Sequence, residues 1–289
     1  MSRNLSCLLA AGLLAAGMLC LLCGCDFGAD APIELTLHPY AGTDLRTIDV
    51  SVSGRTSPFI FDTGAGFTVL TPDQVKLAGC VPFGQVTGFR ADGGKITTPR
   101  CGPVTLGLDG YQVRGEVTVF DLNKLLGSGA PPVGGLVGLS SFDGRAITLD
   151  LAHDRVIVET RRSLARRIRH MRPIHVRFAR GAGGDVDPFI EVRAKTGTLW
   201  LEVDSGNNGP VFLAPTAQQQ IGISLPEHGT QPYELDVIGL GRVPVKVAAR
   251  DMIYDGQLDP AFLKQMILSL DMRNGRAWAS RERSAGEPH

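Results

Sequence analysis

The amino-acid sequence predicts a mostly β, two-lobed protein with short helices. Three observations carry that expectation. Apolar segments are short, rich in β-branched residues and punctuated by glycine turns; one module occurs twice; and 289 residues suffice for two lobes of roughly 100 to 150 residues each. Lys plus Arg equals Asp plus Glu, so net charge gives no electrostatic reason to expect a nucleic-acid partner, and binding has to be argued from sites.

Arg3 and the apolar run Leu5 to Leu22 read as an export signal that ends at Leu22-Cys23-Gly24-Cys25. These four residues resemble a bacterial lipobox, in which the last Cys, here Cys25, carries lipid and becomes the mature N-terminus. The alternative is an uncleaved anchor, since the run is at the lower limit for spanning a bilayer. Both readings place the body outside the cytoplasm, held at a membrane of the bacterial cell envelope and facing the periplasm or exterior. Cys7, Cys20 and Cys23 would leave with the signal, so Cys80 and Cys101 remain and an oxidising compartment favours one disulfide between them. A metal or thiol site is the competing reading, and no His lies near either.

The repeat is visible in register. Ile48-Asp49-Val50 matches Ile190-Glu191-Val192, and Phe61-Asp62-Thr63-Gly64 matches Val203-Asp204-Ser205-Gly206, both at an offset of 142. Thr71-Pro72 through Gly79 matches Ala214-Pro215 through Gly222 at 143. Gly138, Ile147 to Asp150 and Arg155 match Asp259, Leu268 to Asp271 and Arg276 at 121. The fall of 22 residues predicts a piece present only in the first module, the length of one β-hairpin with its turn.

The boundaries that follow are a signal at 1–25, a first lobe at 33–160, a linker at 161–172, a second lobe at 173–280 and a tail at 281–289. Strands are expected over Arg46 to Val52, Pro58 to Asp62, Val113 to Phe120 and Ala146 to Val158. Thr71-Pro72 supplies a cap and a first-turn proline for a short helix that stops near Gly79. Arg161 to Arg172 holds six Arg and reads as a connector helix. It is either a solvated linker or a segment drawn to an anionic membrane surface. Trp200 and Trp278 are expected in the core, and Gly181-Ala182-Gly183-Gly184 in a turn.

A hydrophobic strand that runs into Asp-Thr/Ser-Gly suits a carboxylate projecting from a tight turn. Gly allows close backbone approach, and the hydroxyl can tie the turn down. Two such turns face to face would bring Asp62 and Asp204 to one water. Carboxylates that close share a proton, so one can accept a proton from the water while the other donates to a scissile carbonyl. No Gly-x-Ser-x-Gly elbow, Walker loop or His-Glu-x-x-His motif is present, and no cofactor or metal is expected.

Phe61-Asp62-Thr63-Gly64-Ala65 with Thr68-Val69-Leu70 resembles the active-site motif of retropepsin-like aspartic proteases, and Gly135 to Leu139 resembles their hydrophobic-hydrophobic-Gly motif. The duplication is similar to pepsin-like enzymes, and the likeness spans residues 33 to 280. It implies a two-lobed β-barrel fold and an endopeptidase of the cell envelope, with Asp62 and Asp204 catalytic and Thr63, Gly64, Ser205, Gly206 and Gly138 in support. It also implies a flap over the cleft from residues 83 to 101, with Phe89, Asp92, Gly93 and Gly94 near its tip. The implied partner is a peptide or protein substrate and the implied state a monomer; a homodimer pairing two copies of Asp62 is a variant. Three departures point instead to an inactive protein that binds extended peptides. Gln257-Leu258-Asp259 replaces the second hydrophobic-hydrophobic-Gly, Asn207 replaces a hydroxyl residue, and the expected flap tyrosine is missing.

Overall fold

A computed structural model describes residues 31–181 and 183–282. The signal segment, the Cys25 lipidation site, Ala182 and the residues from 283 onward lie outside the described residues. The first half runs β1 (Ile33–Pro39), β2 (Arg46–Val52), β3 (Arg55–Phe61), β4 (Val69–Leu70), α1 (Pro72–Leu77), β5 (Phe83–Phe89), β6 (Lys95–Leu108), β7 (Tyr111–Val119), α2 (Leu122–Leu126), β8 (Gly135–Val137), β9 (Ala146–Asp150) and β10 (Arg155–Glu159). The second runs α3 (Arg161–Arg167), β11 (Arg172–Ile174), β12 (Val176–Ala179), β13 (Asp187–Arg193), β14 (Thr198–Glu202), β15 (Val211–Leu213), α4 (Pro215–Ile221), β16 (Gln231–Val237), β17 (Gly241–Ala249), β18 (Gly256–Gln257), α5 (Pro260–Leu263), β19 (Met266–Asp271) and β20 (Arg276–Arg281).

The two modules fold alike. In the first lobe β2-β3-β8-β4-β7-β6 is closed into a barrel by the β2–β6 pairing; in the second β13-β14-β18-β15-β17-β16 is closed by β13–β16. Each barrel contains the same parallel step, β3 on β8 and β14 on β18, which threads the Asp-bearing strand beside the segment at Gly138 or Asp259. The inward residues of these strands, among them Phe59, Phe61, Leu106, Leu201 and Val243, are almost fully buried. Burying each such side chain stabilises by roughly 1.5–3 kcal/mol.

The lobes share a platform of six strands in the order β11-β20-β19-β9-β10-β1, with β9 from one module paired antiparallel to β19 from the other. Thr148 stands opposite Ser269, its own equivalent in the repeat, and their hydroxyls lie 2.8 Å apart. Equivalent residues that face each other mark the axis relating the two modules. The same pairing recurs on the flanks: Arg155 holds Asp150 at 2.8 Å, as Arg276 holds Asp271 at 3.3 Å.

Several local expectations sharpen. Thr71 stands at the N-cap position of α1 with Pro72 in the first turn, but its hydroxyl donates to the Gly134 carbonyl at 3.0 Å and not to the helix; Gly79 follows with φ +63°, a left-handed stop that glycine adopts freely. Ala146 to Val158 is two strands, because a 3₁₀ turn at Leu151–His153 and left-handed Asp154 fold it into a hairpin. The Arg-rich connector is helical only to Arg167, capped by reciprocal Thr160–Ser163 bonds, and continues as a 3₁₀ turn before β11. Cys80 and Cys101 are joined, with Cα atoms 6.0 Å apart, tying the end of α1 to β6.

Trp200 and Trp278 are not in the core. They are half-buried in a surface groove with Pro173 and His175, their rings covered by Arg177 at 4.1 Å and Arg276 at 5.2 Å. Alternation along β14 puts Leu199 and Leu201 inward, and Trp200 therefore faces out. No helix among the described residues is long and apolar enough to cross a membrane.

Candidate active site

The strands β3 and β14 end where the two modules meet, and their Asp turns interlock. Thr63 Oγ1 donates to the Val203 carbonyl at 2.7 Å and accepts from Ser205 N–H at 3.0 Å. In return Ser205 Oγ donates to the Phe61 carbonyl at 3.1 Å and accepts from Thr63 N–H at 3.0 Å. All four bonds are buried, so the two turns are locked across the same axis that passes between Thr148 and Ser269.

This lock brings the carboxyls of Asp62 and Asp204 into direct hydrogen-bond contact. Gly64 N–H donates to Asp62 Oδ1 at 2.9 Å and Gly206 N–H to Asp204 Oδ1 at 2.7 Å. Each glycine also makes room for the opposite acid. A Cβ on Gly64 would lie 2.4 Å from Asp204 Cγ, and one on Gly206 only 2.3 Å from Asp62 Cγ. Behind the first turn, Gly138 N–H donates to Thr68 Oγ1 at 3.1 Å, and a Cβ there would meet the Phe67 carbonyl at 2.3 Å. The sequence-derived support residues thus all touch the dyad or its turns.

The two acids are electrically unequal. Burial pushes Asp62 up, but hydrogen bonds from Asp204 and from the Gly64, Ala65 and Gly206 amides oppose that. Burial raises Asp204 well above the carboxylate range, and the charges of Asp62 and Glu202 push the same way. Burial and neighbouring charge thus favour the protonated form more strongly at Asp204 than at Asp62.

The second lobe adds an acidic layer. Glu202, 2% exposed, is pushed up to about 8, first by burial and then by Asp187. Asp187 is pushed up to about 7 by burial and by Asp185 and Asp62. Gln257 Nε2 donates both to Glu202 Oε2 at 3.0 Å and to Asp204 Oδ2, joining this layer to the dyad. Sequence reasoning passed over Glu202 and Asp187, although the repeat held the signal. At its own offsets Glu202, Asp187, Gln257 and Tyr254 correspond to Ile60, Leu45, Leu136 and Val133, an apolar cluster in the first lobe.

The departures expected to weaken the second turn have structural roles. Asp259 Oδ1 accepts from Phe262 N–H at 2.8 Å and caps α5. Asn207 Nδ2 donates to the Pro210 and Leu258 carbonyls. Gln257 does not pack behind the turn; it reaches Asp204 itself.

The hairpin of β5 and β6 is the piece present only in the first module. Its tip is closed by Arg90 N–H to the Gly94 carbonyl at 2.8 Å and Gly94 N–H to Asp92 Oδ1 at 2.9 Å, with Gly93 at φ +81°. The tip crosses to the second lobe, where Ile253 N–H donates to the Ala91 carbonyl at 3.0 Å. Under it lies a cavity of about 730 Å³ on the Asp62 side, walled by the Gly64 turn, Phe67, Leu122, Leu136, Phe89 and Asp187. A second, of about 490 Å³, opens on the Asp204 side between the tip and the strand end at Arg250. The only described side chains that converge as metal ligands would are Asp150, His153 and Glu282, set on the shared platform, not at the dyad.

No protein-family model and no curated protein sequence matches the chain. Solved structures do match it: conglutin gamma, a basic 7S globulin from lupine seeds, at TM-score 0.57 and 9% identity over 88% of this chain and 96% of that one. Basic 7S globulin from soybean matches at TM-score 0.52 and 10% identity over 87% and 95%. At such identities the likeness is one of fold, a two-lobed double barrel. These findings overturn the family assignment that the short motifs suggested: Asp-Thr-Gly and its neighbours are too few residues to carry membership in the retropepsin-like or pepsin-like proteases, and the neighbours found are globulins.

Proposed function

We propose that this chain is a peptide-bond hydrolase of the bacterial cell envelope, held at the membrane through Cys25, that acts as a monomer on extended segments of peptides or proteins. The observation that supports this most is the pair of carboxyls held together by the interlocked turns, with cavities beneath a hairpin on either side, one walled by Asp204 and the other by the Gly64 turn. A water between the two acids gives a proton to Asp62 as its oxygen bonds to the scissile carbonyl carbon, while Asp204 donates its proton to the carbonyl oxygen. Collapse of the resulting diol breaks the C–N bond. The proton on Asp62 goes to the departing nitrogen, and a diol proton returns to Asp204. Both acids come from one chain, so the reading needs no second copy of Asp62.

The test incubates the full-length protein with a diverse peptide mixture from pH 3 to 8 and reads new termini by mass spectrometry. Cleavage should fall at least 100-fold in both Asp62→Asn and Asp204→Asn. Cleavage untouched by either substitution refutes the dyad. A second reading, a cleft that holds peptides without cutting them, draws on Gln257, whose amide occupies the Asp204 oxygen that would otherwise face water. Peptide binding with no cleavage at any pH would establish it.

A further inference from the structure

The two cavities beside the Asp turns differ in the charged groups left without an ion-pair partner. On the Asp62 side the wall includes Asp185 and Asp187, and its one cation, Arg100, is committed to Glu116. On the Asp204 side the wall includes Arg90, Arg250, Asn207, Asn208 and the apolar face of Phe212. Arg90 is paired with Asp92 at 2.8 Å. Arg250 is different: its guanidinium stacks on the Phe212 ring, 3.4 Å from the centroid, and among the described residues it has no carboxylate within ion-pair distance.

A stacked guanidinium is held in place by the ring while its in-plane N–H groups stay available, which suits two-point recognition of a carboxylate. Asp92, which pairs with Arg90, and Asp204 also act on Arg250 electrostatically, and neither comes within ion-pair distance of it. The flap tip, bonded to Ile253, forms one wall of this cavity.

From this arrangement we infer that the cavity on the Asp204 side is a subsite for a carboxylate of the bound peptide, recognised by Arg250, and that the Asp62 side rejects the same group. The inference rests on the peptide-cleft reading above and deepens it: the substrate class is a peptide with an acidic group on one defined side of the bond at the dyad. That group is either an Asp or Glu side chain or the chain's own C-terminal carboxylate.

Binding, not cleavage, is the discriminating measurement, because it survives if hydrolysis does not occur. Fluorescent peptides of one length and a common apolar centre are titrated onto full-length Asp62→Asn protein. The set is neutral, Glu on the N-terminal side, Glu on the C-terminal side, and free acid against C-terminal amide. One placement of the carboxylate should bind about 10-fold more tightly than the neutral peptide, and the opposite placement more weakly. Adding Arg250→Gln should bring the ratio to within 2-fold, Arg250→Lys should retain most of it, and Arg250→Glu should turn the preference toward Lys-bearing peptides. Preference for the free acid alone assigns the subsite to the C-terminus; preference for either Glu peptide assigns it to a side chain. A ratio unchanged by Arg250→Gln, equal affinity for both Glu placements together with no preference for the free acid over the amide, or no binding by any peptide overturns the inference. Loss of cleavage in the native protein with the ratio intact would overturn the hydrolase reading alone.

Discussion

Replacing Glu202 by Gln should make the protein more stable, and by an amount that depends on pH. The side chain is 2% exposed, and its hydrogen bond at 3.0 Å comes from Gln257, whose amide also serves Asp204. Its carboxyl is pushed up to about 8 from an ordinary 4.5. Below pH 4.5 the group is protonated in both folded and unfolded chains and contributes no pH dependence. Between 4.5 and about 8 the unfolded chain gives up the proton while the folded chain keeps it. The folded state then binds more protons than the unfolded, so stability falls as pH rises. Above 8 the full penalty is present, on the order of 4–5 kcal/mol from the separation of the two values at about 1.4 kcal/mol per unit.

Gln has the same shape and no charge, so Glu202→Gln removes that penalty. Thermal unfolding from pH 4 to 9 should give coincident midpoints near pH 4 and a variant about 10 °C higher at pH 8.5, at roughly 2–4 °C per kcal/mol for a chain of this size. Asp187 keeps its own pH dependence in both proteins. Parallel midpoint curves across the whole range would refute the reasoning, since they would mean that Glu202 ionises as easily folded as unfolded.

Two further substitutions test the interlocked turns. Thr63→Val keeps shape but leaves the Val203 carbonyl and Ser205 N–H buried without partners, and urea unfolding should show a loss of roughly 2–4 kcal/mol. Gly206→Ala places a methyl 2.3 Å from Asp62 Cγ, so the acids must separate; peptide cleavage should drop by at least 100-fold while far-UV circular dichroism stays that of the parent.

The two-lobed, duplicated architecture was legible because the register of the repeat sets equivalent strands in equivalent places. A strand whose equivalent must occupy the equivalent place has little freedom to be misassigned, and the hairpin of β5 and β6 appeared as the 22-residue interruption of that register. What the repeat could not supply was the direction of side chains. Trp200 looks like a core residue by size, yet strand alternation turns it outward beside Arg177. Ala146 to Val158 looks like one strand because the left-handed turn at Asp154 needs no glycine. Family membership was overread because three-residue motifs describe a turn, and a turn can be shared by fold alone.

The asymmetry between the modules lies elsewhere than the motif comparison placed it. Asn207 and Asp259 are absorbed by the local backbone, and neither disturbs Asp204. The change with electrical consequence is the replacement of the Ile60, Leu45, Leu136 and Val133 layer by Glu202, Asp187, Gln257 and Tyr254. An apolar layer behind Asp62 costs nothing to bury. A layer of acids behind Asp204 destabilises the fold as pH rises, while burial and the charge of Asp62 favour the protonated form of Asp204. Two identical turns on a twofold axis would hold their carboxyls in the same electrical environment. In this chain that symmetry is broken one residue layer back, by Glu202, Asp187 and Gln257.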